Sequence, residues 1–314
     1  MIKVLQGGTQ TTLQDAGRIG FRHLGIPGSG AADKLCFALA NYLVGNEWDM
    51  AAFECALGGL HLKFESDTVI ALAGAEMWAQ INGQNHANFT AVPVKKGDIL
   101  TLSFARQGAR SYIAVAGGLT GESFLGSAST YLPAKLGGRS GREIKAGDLF
   151  DLNAPIGESR TLLKGYKPYL SSHVILRAKP APEFDSLTAQ SKRHLFVSAY
   201  KATPQTDRMG SRLRGNKLDL ISGSTVKTSM VSSPLLPGTL QLPPNGQPIL
   251  ALVDGHCTGG YARCLQIIRA DLWQLGQIGP GTRVSFRRCF LSEDAAALTR
   301  RNAFYGGLIA GFSF

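Results

Sequence analysis

The segment Gln241-Leu-Pro-Pro-Asn-Gly-Gln-Pro-Ile-Leu-Ala-Leu-Val-Asp-Gly-His-Cys-Thr-Gly-Gly-Tyr261 runs from a turn, through a short apolar strand, into a row of acid, imidazole, thiol, hydroxyl and glycine. Asn245-Gly246 make the turn and Pro248 confines the start of the strand. Residues 249–253 fill a core, so residues 254–261 form the loop that leaves it. In that loop Asp254 can orient a protonated group or act as a base, and His256 can give or take a proton. Gly255, Gly259 and Gly260 allow positive φ or close backbone approach, so the loop can offer N–H groups to an anion or a developing oxyanion. The plainer reading is a polar turn in which Asp254 caps neighbouring N–H groups and His256 is an ordinary histidine. Cys257 is not assigned as a nucleophile, because the sequence cannot show a base placed beside its thiol.

The first half carries its own candidates in TTLQDAGRIGFRHLGIPGSGAAD, namely Asp15, Arg18, Arg22, His23 and Asp33. An arginine fork suits a carboxylate or phosphate because it donates two hydrogen bonds at once. For Arg18 and for Arg208 in the second half, an Asp–Arg pair that ties a turn together is the competing role. Glu54 sits among apolar residues in AAFECALGG and must be either paired with an arginine or functional. Gly28-Ser29-Gly30 is no dinucleotide fingerprint, because Asp33 stands where the third glycine belongs and no strand precedes it. The sequence has no Walker motif, no GxSxG elbow and no HExxH helix.

Positioning these groups falls to a chain of 314 residues, enough for two ordinary domains or one large one. Its 38 glycines and 14 prolines are scattered, which favours short strands and tight turns. Strand-like segments recur throughout: HLKFE, TVIALAG, DILTLSF, SYIAVAGG, HVILR, HLFVSA, GTLQL, PILALV and RVSF. Helical spacing is confined to a few places. In AADKLCFALANYLVG, Leu35, Leu39, Tyr42 and Leu43 share a face and Gly45 offers a stop; the other is RADLWQLGQI.

The chain also resembles itself. QDAGRIGFRHLG and QTDRMGSRLRG align Arg18 with Arg208, Gly20 with Gly210, Arg22 with Arg212 and Gly25 with Gly215, at a constant offset of 190 (208 − 18). GGLHLKFESDTVIALAG then matches PGTLQLPPNGQPILALVDG at an offset of 180 (252 − 72), and KKGDILTLSF matches GPGTRVSF. Three blocks in one order predict duplicated β domains over residues 1–155 and 156–314. A tandem pair of domains is expected to form a cleft where they meet, a favoured place for a ligand.

The formal charge of +11 comes from dispersed basic residues with no run of four, which points away from nucleic acid and towards small anionic substrates, an acidic partner or a plain solvated surface. Five cysteines without CxxC spacing read as reduced thiols and not as a zinc site, so no metal ligands are assigned. The amino terminus lacks a signal-peptide stretch, and no run approaches the roughly 20 apolar residues that span a bilayer, so a cytoplasmic protein without a membrane partner is expected.

Across nearly the whole chain, TTLQDAGRIGFRHLGIPGSGAAD, NYLVGN, RSYIAVAGG, LGSASTY, DRMGSRLRG, PPNGQPILALVDGHCTGGY and RADLWQLGQIGPGTRVSF resemble the biotin-dependent carboxyltransferase-type family with subdomains A and B. That family includes the C subunit of bacterial 5-oxoprolinase, also called allophanate hydrolase subunit 2 or KipA, and the carboxyltransferase module of urea carboxylase. The resemblance implies a mainly β fold of two cyclophilin-like β-barrel subdomains in tandem with a few short helices. It further implies ATP-dependent opening of 5-oxo-L-proline to L-glutamate with A and B subunits, the B subunit being KipI-like, and it implies ATP and Mg²⁺. Alternatives within the family are carboxyl transfer from carboxybiotin to a urea-like amide and a non-catalytic KipI-binding regulatory role. On this footing Asp254, His256, Arg208 and Asp15 are the expected catalytic residues. Arg18, Arg22, His23, Asp33, Glu54, Gln241, Thr258, Gly259, Gly260 and Tyr261 are the expected substrate-binding residues. The family's usual Gly-Ala-Met-Asp stands here as Gly30-Ala31-Ala32-Asp33, and its Gly-Leu-Glu-Gly-Arg as Gly138-Arg139-Ser140-Gly141-Arg142.

Overall fold

Along the strand His173–Pro180 the buried positions are Val174, Leu176 and Ala178, every second residue, as a strand with one face on a core requires. The computed structural model describes residues 1–153, 157–224, 226 and 229–314, and in it this strand belongs to a closed seven-stranded barrel. The hydrogen-bonded order is His173–Pro180, Ala262–Ile267, Thr239–Leu242, Ile249–Ala251, Gly210–Arg214, Ala199–Thr206 and Arg283–Arg288, the last returning to pair in parallel with the first. Closure leaves no free edge, and Leu176, Leu213, Leu240, Leu250, Leu265 and Val284 fill the interior.

In the amino-terminal part the strands form two sheets. One has the order Leu149–Phe150, Ile2–Gly7, Leu60–Phe64, Ile99–Thr101, Gln80–Ile81, Gln84–Asn85; the other Gln10–Gln14, Ala52–Ala56, Gln107–Val115, Thr68–Glu76, Ala91–Val94. Their shared core holds Phe53, Phe64, Ile70, Leu100 and Ile113. The fold is therefore mainly β, as the turn-rich sequence predicts.

Helix α1, Lys34–Leu43, forms where the spacing predicts it. Asp33 caps it by accepting from the Cys36 N–H at 2.9 Å, and Gly45 ends it at φ 80°. RADLWQLGQI becomes the 3-10 element Arg269–Gln277, held by the buried Asp271, whose two oxygens take the Arg177 guanidinium at 2.6 and 2.9 Å. HLFVSA, expected as a strand, lies mostly in α2, Ala189–Val197. Thr188 caps that helix through the Ser191 N–H, and only Leu195 of the apolar run is fully buried while Val197 is exposed. A third helix, α3 at Leu291–Gly306, escapes the sequence reading because its exposed face is rich in Ala and Arg and its apolar stripe is thin.

Two compact units share the chain, one made of Met1–Arg18, Ser29–Leu170 and Asn302–Phe314, the other of Ile19–Gly28 and Ser171–Arg301. The boundary expected at residues 155 and 156 lies outside the described residues. The duplicated blocks keep the order of their elements but not their pairing. Thr239–Leu242 pairs directly with Ile249–Ala251, whereas Leu60–Phe64 and Thr68–Glu76 go into different sheets. Likewise Arg18 and Arg208 are both buried, yet the chain after Arg208 is the strand Gly210–Arg214, while the chain after Arg18 passes to the other unit as the 3-10 turn Arg22–Leu24. Among the described residues no helix is long and apolar enough to cross a membrane.

Candidate functional site

In the amino-terminal unit the candidate residues hold the structure together. The Asp15 carboxylate accepts from the N–H of Gly17 at 2.8 Å and Ala128 at 2.6 Å, and from the hydroxyls of Ser127 at 2.6 Å and Ser129 at 2.5 Å. Arg18, only 1% exposed, donates to the carbonyls of Ser129 and Phe124. Together they clamp the loop of residues 124–129 onto the strand end at Gln14. Glu54 resolves as paired. Its Oε1 lies 3.3 Å from Arg110 Nε, and its Oε2 accepts from the Ala32 N–H and the Tyr112 hydroxyl, each at 2.8 Å. The Tyr112 oxygen in turn accepts from the Asp33 N–H at 2.7 Å, so Glu54, Tyr112 and Asp33 fix the entry to α1. Burial, followed by the charges of Glu54 and Asp33, pushes the Tyr112 phenol well above its ordinary range.

Glu54 and Asp33 thus touch backbone and buried side chains, and Asp15 spends its carboxylate on four donors. A concavity of about 480 Å³ in this unit is lined by Trp78, His86, Asn88 and Lys167 among others, and by none of the predicted site residues.

The carboxy-terminal unit brings more of the predicted residues together. Asp254 and Arg208 form an ion pair shut away from solvent, at 1% and 3% exposure, with Nε to Oδ2 at 2.7 Å and Nη2 to Oδ1 at 3.1 Å. Their backbones join too, the Asp254 N–H donating to the Arg208 carbonyl at 2.9 Å. Of the two roles open to Gly255, Gly259 and Gly260, none of the three takes positive φ. They are small because neighbours press on them: a Cβ on Gly259 would stand 2.5 Å from Gln241 Nε2, one on Gly255 2.9 Å from the Met209 carbonyl, and one on Gly260 3.0 Å from the Met230 carbonyl. The N–H groups of Asp254 and Gly255 are already spent on the carbonyls of Arg208 and Leu252, so the loop offers no anion nest at its start.

Met209 and Gly255, the chain neighbours of that buried pair, help line a concavity of about 870 Å³ on the outer face of the barrel, and Gln241, His256 and Tyr261 line it with Arg212, Ile249 and Leu235. In the short ladder of Ser233–Pro234 with Thr258–Gly259, Gly259 lies against the Gln241 amide. Arg22, arriving with Ile19–Gly28, fastens the rim by donating to the carbonyls of Leu235 at 2.6 Å and His256 at 3.4 Å. His23 and Thr258 are exposed, and the Gly260 carbonyl accepts from the Met230 N–H outside the concavity.

Sequence reasoning missed Arg212. It lines the concavity, is exposed and makes no ion pair among the described residues. The internal alignment with Arg22 was the signal that singles it out.

Residues 24–288 match the family described as carboxyltransferase domain, subdomain A and B. The chain belongs to that family. Two curated relatives of this carboxyltransferase-domain sequence carry the name of the C subunit of 5-oxoprolinase. The one from Escherichia coli K12 is 39% identical over 300 residues, covering 95% of this chain and 94% of the relative. The one from Haemophilus influenzae is 34% identical over 306 residues, covering 97% and 96%. Among solved structures, the Kluyveromyces lactis urea amidolyase superposes with a TM-score of 0.91 at 27% identity, over 99% of this chain. This chain spans only 20% of that much longer protein.

Proposed function

We propose that this chain is the C subunit of an ATP-dependent 5-oxoprolinase, working with A and B subunits in the cytosol to open 5-oxo-L-proline to L-glutamate. The observation that carries this reading is the 39% identity to a 5-oxoprolinase C subunit across 95% of this chain and 94% of the relative. The outer-face concavity supports it, being lined by the Arg212 guanidinium, which makes no ion pair among the described residues, and bordered by Arg22.

A lactam amide hydrolyses slowly at neutral pH, and ATP supplies the activation of its carbonyl in such a reaction. Among the described residues no group of three His, Cys, Asp or Glu side chains converges on a metal position, and the buried carboxylates are committed to arginines and backbone N–H groups. The part we give this chain is to bind and orient the lactam. In that role Asp254 and Arg208 position the loop that carries His256 and Tyr261, and Asp15 and Arg18 do the same for the loop of residues 124–129.

Mixing the purified chain with its A and B partners, 5-oxo-L-proline and ATP should yield glutamate. Folded proteins that together yield none sink the reading. The likeness to urea amidolyase favours carboxyl transfer as the second reading. Retention of the chain on a biotinylated carrier protein, together with carboxylation of an amide acceptor, would decide for it.

A further inference from the structure

Three neighbouring strands of the barrel bring like charges face to face. Lys201 stands directly opposite Arg283 on one side and Arg214 on the other. Val284, Tyr200, Ala202 and Leu213, the chain neighbours of these cations, belong to the barrel core, so the three cations stand in one row on its outer face, all of them exposed. With strands about 4.8 Å apart, the row is about 10 Å long. Like charges directly opposed across a ladder cost stability.

Elsewhere the same barrel relieves that cost with carboxylates. Further along the strand Arg283–Arg288, Arg287 stands directly opposite Arg177. There Glu293 takes Arg287 at 2.9 Å and Asp271 takes Arg177 at 2.6 Å, while Asp294 takes the neighbouring Lys179. No carboxylate takes Arg283, Lys201 or Arg214 among the described residues. The four adjacent strands, HVILRAKP, RVSFRR, AYKATPQT and GSRLR, contain no Asp or Glu of their own. The acids that flank Gly210–Arg214 in sequence are engaged, Asp207 by the N–H groups of Met209 at 2.7 Å and Gly210 at 3.0 Å, and Asp219 by Lys217 at 3.4 Å.

We infer that this row is a docking surface for an acidic helix of a partner subunit, three carboxylates on one helix face meeting Arg283, Lys201 and Arg214. Carboxylates at positions i, i+4 and i+7 of a helix lie along one face about 10 Å from end to end, which is the length of the row. The closed barrel has no free edge on which a partner could add a strand, so recognition here falls to side-chain charge. A row this short meets few phosphates, against the roughly six to ten of a duplex-binding protein, which makes protein the partner class. It ends two residues from Arg212, so a partner seated on it borders the outer-face concavity. The inference rests on the 5-oxoprolinase reading for the partners to be tried and adds where one of them binds.

The test is calorimetric binding of the purified full chain to its A and B partner proteins. The reversed variant carries Arg283→Glu, Lys201→Glu and Arg214→Glu together, and the neutral variant carries Gln at the same positions. The wild-type chain should bind one partner, more weakly in about 200 mM NaCl than in about 50 mM. At the lower salt the reversed variant should bind that partner at least about tenfold more weakly, with the neutral variant in between. The neutral variant should melt at or above the wild-type Tm, because it removes two repulsive oppositions, and this separates lost docking from a lost fold. Equal affinity of the wild-type and reversed chains, affinity indifferent to salt, or a neutral variant that melts lower overturns the inference. So does a chain that binds neither partner while the mixture still forms glutamate. If it binds neither and no glutamate forms, the functional reading has failed, and the row is judged with a helical peptide bearing glutamates at i, i+4 and i+7 and with a duplex oligonucleotide. Peptide binding that the reversed variant loses upholds the inference; no peptide binding, or tighter binding of the oligonucleotide, overturns it.

Discussion

Asp254 and Arg208 are buried with their charges facing each other and almost no exposed surface. Removing one partner of such a pair strands the other charge in a dry place, which costs far more than the net worth of the pair. Asp254→Ala should therefore lower unfolding stability by about 3–5 kcal/mol. Denaturant melts of that variant and of the double change Asp254→Leu with Arg208→Met check this, since the double variant should recover most of the loss. A different outcome is expected one layer out. Gly259→Ala places a methyl 2.5 Å from Gln241 Nε2, at the end of a side chain that can swing away. It should leave the melt nearly unchanged, as denaturant curves of the variant would record.

Elements rather than residues explain what could be read beforehand. Continuous or alternating apolar runs announced most strands, and the Asp33 cap with Gly45 announced α1, because both signals are local. What stayed hidden depends on partners distant in sequence. That Arg212, Ile249 and Gln241 form a row follows only from the register of three strands, and that Arg22 leaves its own half of the chain follows only from tertiary packing. HLFVSA misled for a related reason, its apolar residues being a cap-initiated helix with one buried side chain.

At the same scale the ion pair of Glu183 with Arg263 ties the turn after His173–Pro180 to the strand Ala262–Ile267. Hydrogen bonds from Arg263 hold the Glu183 carboxyl below its ordinary value of 4.5. A depressed carboxylate contributes stability above its unfolded value and loses it as pH falls through the folded one. The Tm should thus drop between about pH 5 and pH 3, and Glu183→Gln should be less stable at neutral pH with a shallower drop. Melting curves across that range decide it, a parallel drop in both proteins counting against the assignment.

The whole molecule is a mainly β chain, and in its carboxy-terminal unit the segment Ile19–Gly28 fastens the rim of the 870 Å³ concavity through Arg22. A net charge of +11 suits an anionic substrate and acidic partner surfaces. The most direct measurement is a titration of this chain into fixed amounts of its A and B partners with ATP and 5-oxo-L-proline, following glutamate. Glutamate formation should rise from background and saturate as the chain is added. Formation at full rate without the chain, or none at any amount of it, would contradict the account.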